Sequence, residues 1–179
     1  MQLSTLSILL GLLGVTSGLY ALLKPSKAIE FAKSFPRSVP IGTVLVLVST
    51  AWFVWNVKQE IIADFEGMKP FLIALFIAVG ICTCIFVKDF LSVRGLAVFL
   101  LLLSKLMVDT ARWAESDWRL IIVTIAYLWV IAGIWFTISP WRMRDLIAWS
   151  VASEKRLRTL SAARVSLGAL LILLGIAAF

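Results

Sequence analysis

The chain has 179 residues, of which 61% are apolar and only 15% are charged, and its net charge is +7. Soluble domains are about half apolar and about a quarter charged, so this composition is typical of an integral membrane protein. The basic residues are dispersed over short connections, which excludes the continuous basic surface of a nucleic-acid-binding protein. Histidine is absent from the sequence, and with it the usual proton shuttle and the usual ligand of haem and zinc.

Six apolar segments are long enough to cross a bilayer as helices, since a span needs about 20 residues. Their apolar runs are continuous, which favours helices over the alternating strands of a membrane barrel. The first run lacks the basic flank of a secretory signal peptide, so we interpret it as a retained span. The predicted spans are residues 3–23, 41–57, 70–87, 90–108, 120–139 and 162–179. Residues 1–179 are therefore predicted to form a single all-α, polytopic membrane domain.

The connection between the first two spans, residues 24–38, reads KPSKAIEFAKSFPRS. Its apolar residues recur at the spacing of one helix face, Pro25 suits a first helical turn, and Pro36 suits a helix end. This pattern predicts a short interfacial helix with its apolar stripe towards the bilayer. Residues 140–151 have a similar pattern and predict a second interfacial helix. The predicted contacts to anionic lipid headgroups are Lys24, Lys27, Lys33, Arg37, Arg142 and Arg144.

The distribution of basic residues predicts the orientation of the chain. If residues 24–38 are cytoplasmic, the connections on that side and the span ends next to them hold twelve of the seventeen basic residues, and the opposite side holds four. Such an excess is typical of cytoplasmic loops. The sequence thus predicts three helical hairpins that close on the cytoplasmic side, with both termini outside, in the cell (inner) membrane.

The first and third predicted hairpins share a spacing. Gly18 precedes Pro25 by seven residues, and Gly133 precedes Pro140 by seven residues. Each proline ends a span because it has no N–H and restricts the residue before it. Either a parallel duplication or chance similarity between two hydrophobic hairpins accounts for this resemblance.

Small residues recur at helical spacing in three of the spans, where they would let helix backbones approach closely in lipid. Two interpretations are open, packing within this chain and an interface with another subunit. Cys82 and Cys84 lie two residues apart on a helix, so they point to different faces and we interpret them as small packing residues without a mutual disulfide. The candidate helix-packing residues are Gly11, Gly14, Gly18, Ala74, Ala78, Gly168 and Gly175.

Lys105 lies inside the fourth predicted span, about 22 Å along it at 1.5 Å per residue. A charge at membrane depth is a functional hypothesis by default. Asp109 and Arg112 follow at i+4 and i+7, so the three residues could also form a charged ladder on one face, with the lysine reaching towards the outer interface. An ion or substrate path and a structural ladder are both open.

The sequence shows no phosphate loop, no cluster of metal ligands and no nucleophile with a positioned base. It predicts no catalytic, cofactor-binding or metal site, and so no enzyme. We expect a structural or accessory subunit of a larger membrane complex, whose partners are the lipid bilayer and other membrane subunits or further copies of the chain. The alternative is a small transporter or channel with a path near Lys105, Asp109 and Arg112. An enzyme that acts on lipid is a third and weaker interpretation.

Overall fold

The computed structural model describes residues 2–60 and 63–179. Helix accounts for 88% of the structure, and no strand occurs in these two ranges. Short 3₁₀ turns lie at Phe35–Arg37 and Ala63–Met68. The α-helices of the described residues are α1 (Leu3–Leu23), α2 (Pro25–Ser34), α3 (Val39–Gln59), α4 (Lys69–Phe86), α5 (Leu91–Arg112), α6 (Arg119–Ile138), α7 (Trp141–Ser150) and α8 (Glu154–Ala177).

Six of these helices, α1, α3, α4, α5, α6 and α8, are long and apolar enough to cross a membrane. They confirm the all-helical, multi-pass membrane fold that the sequence predicts. Five of them begin and end within four residues of the predicted spans. The prediction was wrong for α8, which begins at Glu154 rather than at residue 162. Hydropathy misses its polar first turns, where Glu154 and Arg158 form an ion pair at 2.7 Å with the favourable i, i+4 spacing.

The helices pack as a chain of neighbours with α5 at its centre. α5 packs against both α3 and α6, α4 packs against α3, and α1 forms an extensive pair with α8. The α1–α8 pair is antiparallel, because Gly11 faces Gly168 while Gly18 faces Val165. An apolar cluster joins this pair to α5 and α6. Its buried members are Leu3, Leu6, Leu10, Met107, Ala111, Ile122, Ile125, Ala126 and Leu171.

These contacts define two ends of the bundle. The first turns of α3 and α5 lie side by side, since Gly42 contacts Leu91. The 3₁₀ turn before α3 contacts α5, and α7 contacts α2, α6 and α8 at the same end. We call this the basic end, because its connections, together with the first halves of α5 and α8, carry twelve of the seventeen basic residues. The other end, where α1, α4 and α6 begin, is called the opposite end.

The extensive contacts of the described residues do not show the three predicted hairpins as packed pairs. They join α3 to α4 and α5 to α6, which are neighbours across the opposite end, and α1 to α8. At the basic end, the ten-residue helix α2 follows α1 and precedes α3 along the chain, and the ten-residue helix α7 follows α6 and precedes α8. The turn from α4 to α5 passes through Phe90, whose left-handed backbone (φ 54°) is unusual for a residue with a side chain.

Two kinds of contact hold the spans together. Burial of apolar side chains contributes little, because the surrounding lipid is as apolar as they are. The first is close backbone approach at glycine: a Cβ on Gly11 would lie 2.6 Å from the carbonyl oxygen of Gly168. The second is a serine hydroxyl that bonds a neighbouring helix. Ser7 Oγ donates to the carbonyl of Leu171 at 2.6 Å, and Ser49 Oγ donates to that of Gly95 at 3.4 Å.

Candidate functional sites

Lys105 forms two ion pairs at the junction of α3 and α5. Its Nζ lies 2.8 Å from Asp109 Oδ2 and 3.2 Å from Glu60 Oε1. Glu60 caps the C-terminus of α3, so the lysine links the end of one span to the last turns of the next. All three side chains are about half exposed. Glu60 is not predicted from the sequence, where its only signal is its position near the end of a span.

Arg112 does not join this cluster. Its side chain is exposed, and its carbonyl accepts a hydrogen bond of 3.4 Å from Arg119 Nη1. Arg119 also donates to the carbonyl of Ala114 at 2.7 Å, which fastens the connection between α5 and α6. Of the predicted ladder, the structure therefore brings together Lys105 and Asp109, and the third member of the cluster comes from α3.

All five predicted packing glycines meet on one surface, the α1–α8 seam. Gly168 lies opposite Gly11 and Gly14 near the middle of the two helices. Gly18 lies against Val165, and Gly175 lies against Ile8, towards the two ends. The sequence predicts the members of the seam on each helix. The structure adds that the two sets face each other.

The remaining predicted packing residues, Ala74 and Ala78, are exposed on α4. Cys82, one turn further on, is exposed too. It is Gly80 that packs against α3, where a Cβ would lie 2.5 Å from the hydroxyl of Thr50. Packing by Ala74 and Ala78 stays a prediction, and it concerns a surface that the described residues leave exposed.

The predicted headgroup contacts lie on an open surface around α2 and α7 at the basic end. Lys33, Arg37 and Arg144 line a cavity of about 320 Å³ whose lining also includes Phe90 and Ile147. Arg144 Nη2 also pairs with the neighbouring Asp145 at 3.2 Å. The cavity therefore combines cationic side chains with apolar walls. The other predicted headgroup contacts, which are exposed outside it, are Lys24, Lys27 and Arg142.

A second cavity, of about 250 Å³, lies between α4 and α5 with α3 as its floor. We call it the α4–α5 cleft. Arg94, in the first turns of α5, is the charged residue of its lining, and Arg94 Nε is a buried donor that has no hydrogen-bond acceptor among the described residues. The apolar lining includes Val46, Phe53, Phe76, Val79 and Val98.

Arg94 is not among the site residues predicted from the sequence. The available signal was an arginine four residues into an apolar run, which interrupts the fourth predicted span. Spacing along one helix could not show that α3 and α4 enclose it on two sides.

Among the residues that the structure describes, no group of three or more potential metal ligands comes together. No protein-family model matches the sequence, and no curated protein or solved structure matches the chain.

Proposed function

We propose that this protein is a non-catalytic accessory subunit of a larger membrane complex, and that α4 carries the surface that meets the next subunit. The observation that carries the proposal is the exposure of α4. Only 6% of its most apolar window is buried, against 44% for α5. Among the described residues, α4 packs extensively against α3 alone, so it forms an edge of the bundle.

The face of α4 directly opposite α3 has the composition of a helix-packing surface. Ala74, Ala78 and Cys82 lie four residues apart and are exposed, so they form one stripe of small residues. Within this chain, small residues accompany close helix contacts, as at Gly11 in the α1–α8 seam. In the proposed complex, a transmembrane helix of another subunit occupies this stripe, and the small side chains would permit its backbone to approach closely.

The ion pairs of Lys105 support the subunit role over the alternative, a transporter or channel with a path along α5. Its ammonium group is held between Glu60 and Asp109, at the level where α3 ends. A lysine in this position links two helices near the opposite end of the bundle. A path would instead need a change of these partners during transport.

Photo-crosslinking at α4 tests the subunit role. A benzoyl-phenylalanine at Ala78 is compared with one at Ala169, which is an exposed alanine of α8. In native membranes, we expect the Ala78 position to give an adduct with one membrane protein of different sequence, and the Ala169 position to give none. Ala78→Phe should abolish co-purification of that protein in mild detergent, whereas Ala169→Phe should not.

Three outcomes contradict the proposal. One is a chain that purifies alone, without an adduct at either position. Another is an adduct of twice the chain mass, which shows a homo-oligomer in place of a mixed complex. The third is an equal effect of both substitutions, which shows that the α4 stripe is not the contact surface.

We also propose that the basic end faces the cytoplasm in the inner membrane, with α2 and α7 lying in the headgroup region. The basic connections at this end and the amphipathic sequence of α2 support this orientation. In a chain with Cys82→Ser and Cys84→Ser, a membrane-impermeant maleimide applied to intact spheroplasts should label Ser116→Cys and not Ser26→Cys. Labelling of Ser26→Cys alone would show that the chain has the reverse orientation.

A further inference from the structure

The α4–α5 cleft combines the cation Arg94 with walls that are mainly apolar and that also include the hydroxyl side chains of Ser49, Thr50 and Thr83. Arg94 lies three residues after Leu91, the first residue of α5, so it is about 5 Å from the basic end of that helix. On the α3 side, the apolar lining extends to Phe53, which is 14 residues and about 21 Å from the first residue of α3. The charged group is thus close to the basic end, and the apolar part leads into the bundle.

Arg94 has hydrogen-bonding capacity that the described residues do not use. Its guanidinium group is permanently charged and offers five N–H donors in a planar fork. Arg94 Nε is buried and has no acceptor among the residues that the structure describes. Buried polar groups nearly always have a partner, so a donor in this state at the rim of a cavity indicates a site for an acceptor. For a guanidinium fork, the preferred acceptors are phosphate and carboxylate oxygens.

The cleft opens sideways towards lipid, since α4 and α5 make no extensive contact with each other among the described residues. A ligand with one acyl chain in the cleft could therefore keep a second chain in the surrounding bilayer. The depth of Arg94 suits a headgroup phosphate. The surplus of basic residues at this end attracts the anionic lipids of the adjoining leaflet.

We propose that the α4–α5 cleft binds one anionic phospholipid, whose phosphate contacts Arg94 and whose acyl chain lies along Val98, Val79 and Phe53. This site is distinct from the open basic surface around α2 and α7, and from the stripe of small residues on the opposite side of α4. The proposal of a lipid site does not depend on whether the protein is a subunit of a larger complex.

Native mass spectrometry of the full chain tests the proposal. The protein, purified in a non-ionic detergent, is incubated with equal amounts of phosphatidylglycerol and phosphatidylcholine. We expect one retained phosphatidylglycerol per chain. Arg94→Gln should reduce this retention about tenfold or more, because it removes charge-assisted hydrogen bonds. Arg158→Gln, the same change at an exposed arginine of α8 outside the cleft and outside the predicted headgroup contacts, should reduce it less than about threefold, because only salt-screened attraction is lost.

A second variant tests where the lipid lies while Arg94 stays in place. Val98 is 41% exposed and lines the cleft, so Val98→Phe should fill part of it without crowding a packed seam, and should also reduce retention. Unchanged thermal unfolding of each variant shows that it is folded.

The proposal is overturned if phosphatidylcholine is retained equally, if the retained mass is that of a free fatty acid, or if Arg94→Gln and Arg158→Gln have equal effects. Full retention by Val98→Phe would place the lipid outside the cleft and would also overturn it.

Discussion

The α1–α8 seam and the outer face of α4 contain similar small residues in opposite environments. In the seam, Gly11 and Gly18 are buried against α8. On α4, Ala74 and Ala78 are exposed on the side away from α3. Both sets have the spacing of one helix face, so spacing alone does not distinguish a seam inside the chain from a free surface.

The difference between the two regions shows what small residues contribute in lipid. They permit close approach, but they do not select the helix that approaches. In the seam, the selection comes from complementary groups on α8: Gly168 opposite Gly11, and the Leu171 carbonyl within reach of the Ser7 hydroxyl. The stripe on α4 has no such complement within the described residues, and its polar neighbour Thr83 bonds its own helix at Val79.

The largest expected effect comes from a bulky substitution in the seam. Gly11→Leu should destabilise the protein by about 3 kcal/mol, since even a Cβ would lie 2.6 Å from the backbone oxygen of Gly168. The matched change Ala78→Leu on α4 should alter stability by less than about 0.5 kcal/mol, because the side chain is exposed. Equilibrium unfolding in mixed micelles measures both. Similar losses for the two variants would show that the regions do not differ as described.

A smaller effect is expected from the serine bond in the same seam. Ser7→Ala removes the hydrogen bond to Leu171 and should cost about 1 kcal/mol, within the range of interhelical bonds in membranes. Ser17→Ala is the control, because that hydroxyl bonds the carbonyl of Leu13 in its own helix at 2.7 Å. The comparison uses the same unfolding measurement. A loss at position 17 as large as that at position 7 argues against a role for the interhelical bond.

The smallest effect concerns the attachment of α3, which carries α4, to the centre of the bundle. A double-mutant cycle with Lys105→Met and Glu60→Gln should give a coupling energy of about 0.5 kcal/mol, since both side chains are about half exposed. The coupling should fall as salt is added, because ions screen exposed charges. A coupling of zero at low salt would show that this ion pair does not hold α3 to α5.

The sequence predicts much of the architecture and only part of the sites. Hydropathy and length locate six spans, because a helix in lipid must be long and apolar wherever it packs. They fail at the start of α8, since its first turns from Glu154 are polar and are stabilised by local pairing. The sequence predicts that Lys105 and Asp109 lie together, because they are four residues apart on one helix. The sequence does not predict that Glu60 joins them, because Glu60 and Lys105 are 45 residues apart along the chain.

The amino-acid sequence by itself determined that this chain forms membrane-spanning helices, where most of them begin and end, and which residues on each helix are small enough for close contact. Those properties depend on local hydropathy and on the period of a helix. Only the tertiary structure decided that α1 pairs with α8, that Ala78 faces outward, and that α3 and α4 enclose Arg94. In lipid, helices gain little from burying apolar surface, so their partners follow from shape and hydrogen bonds between distant segments, which no single segment encodes.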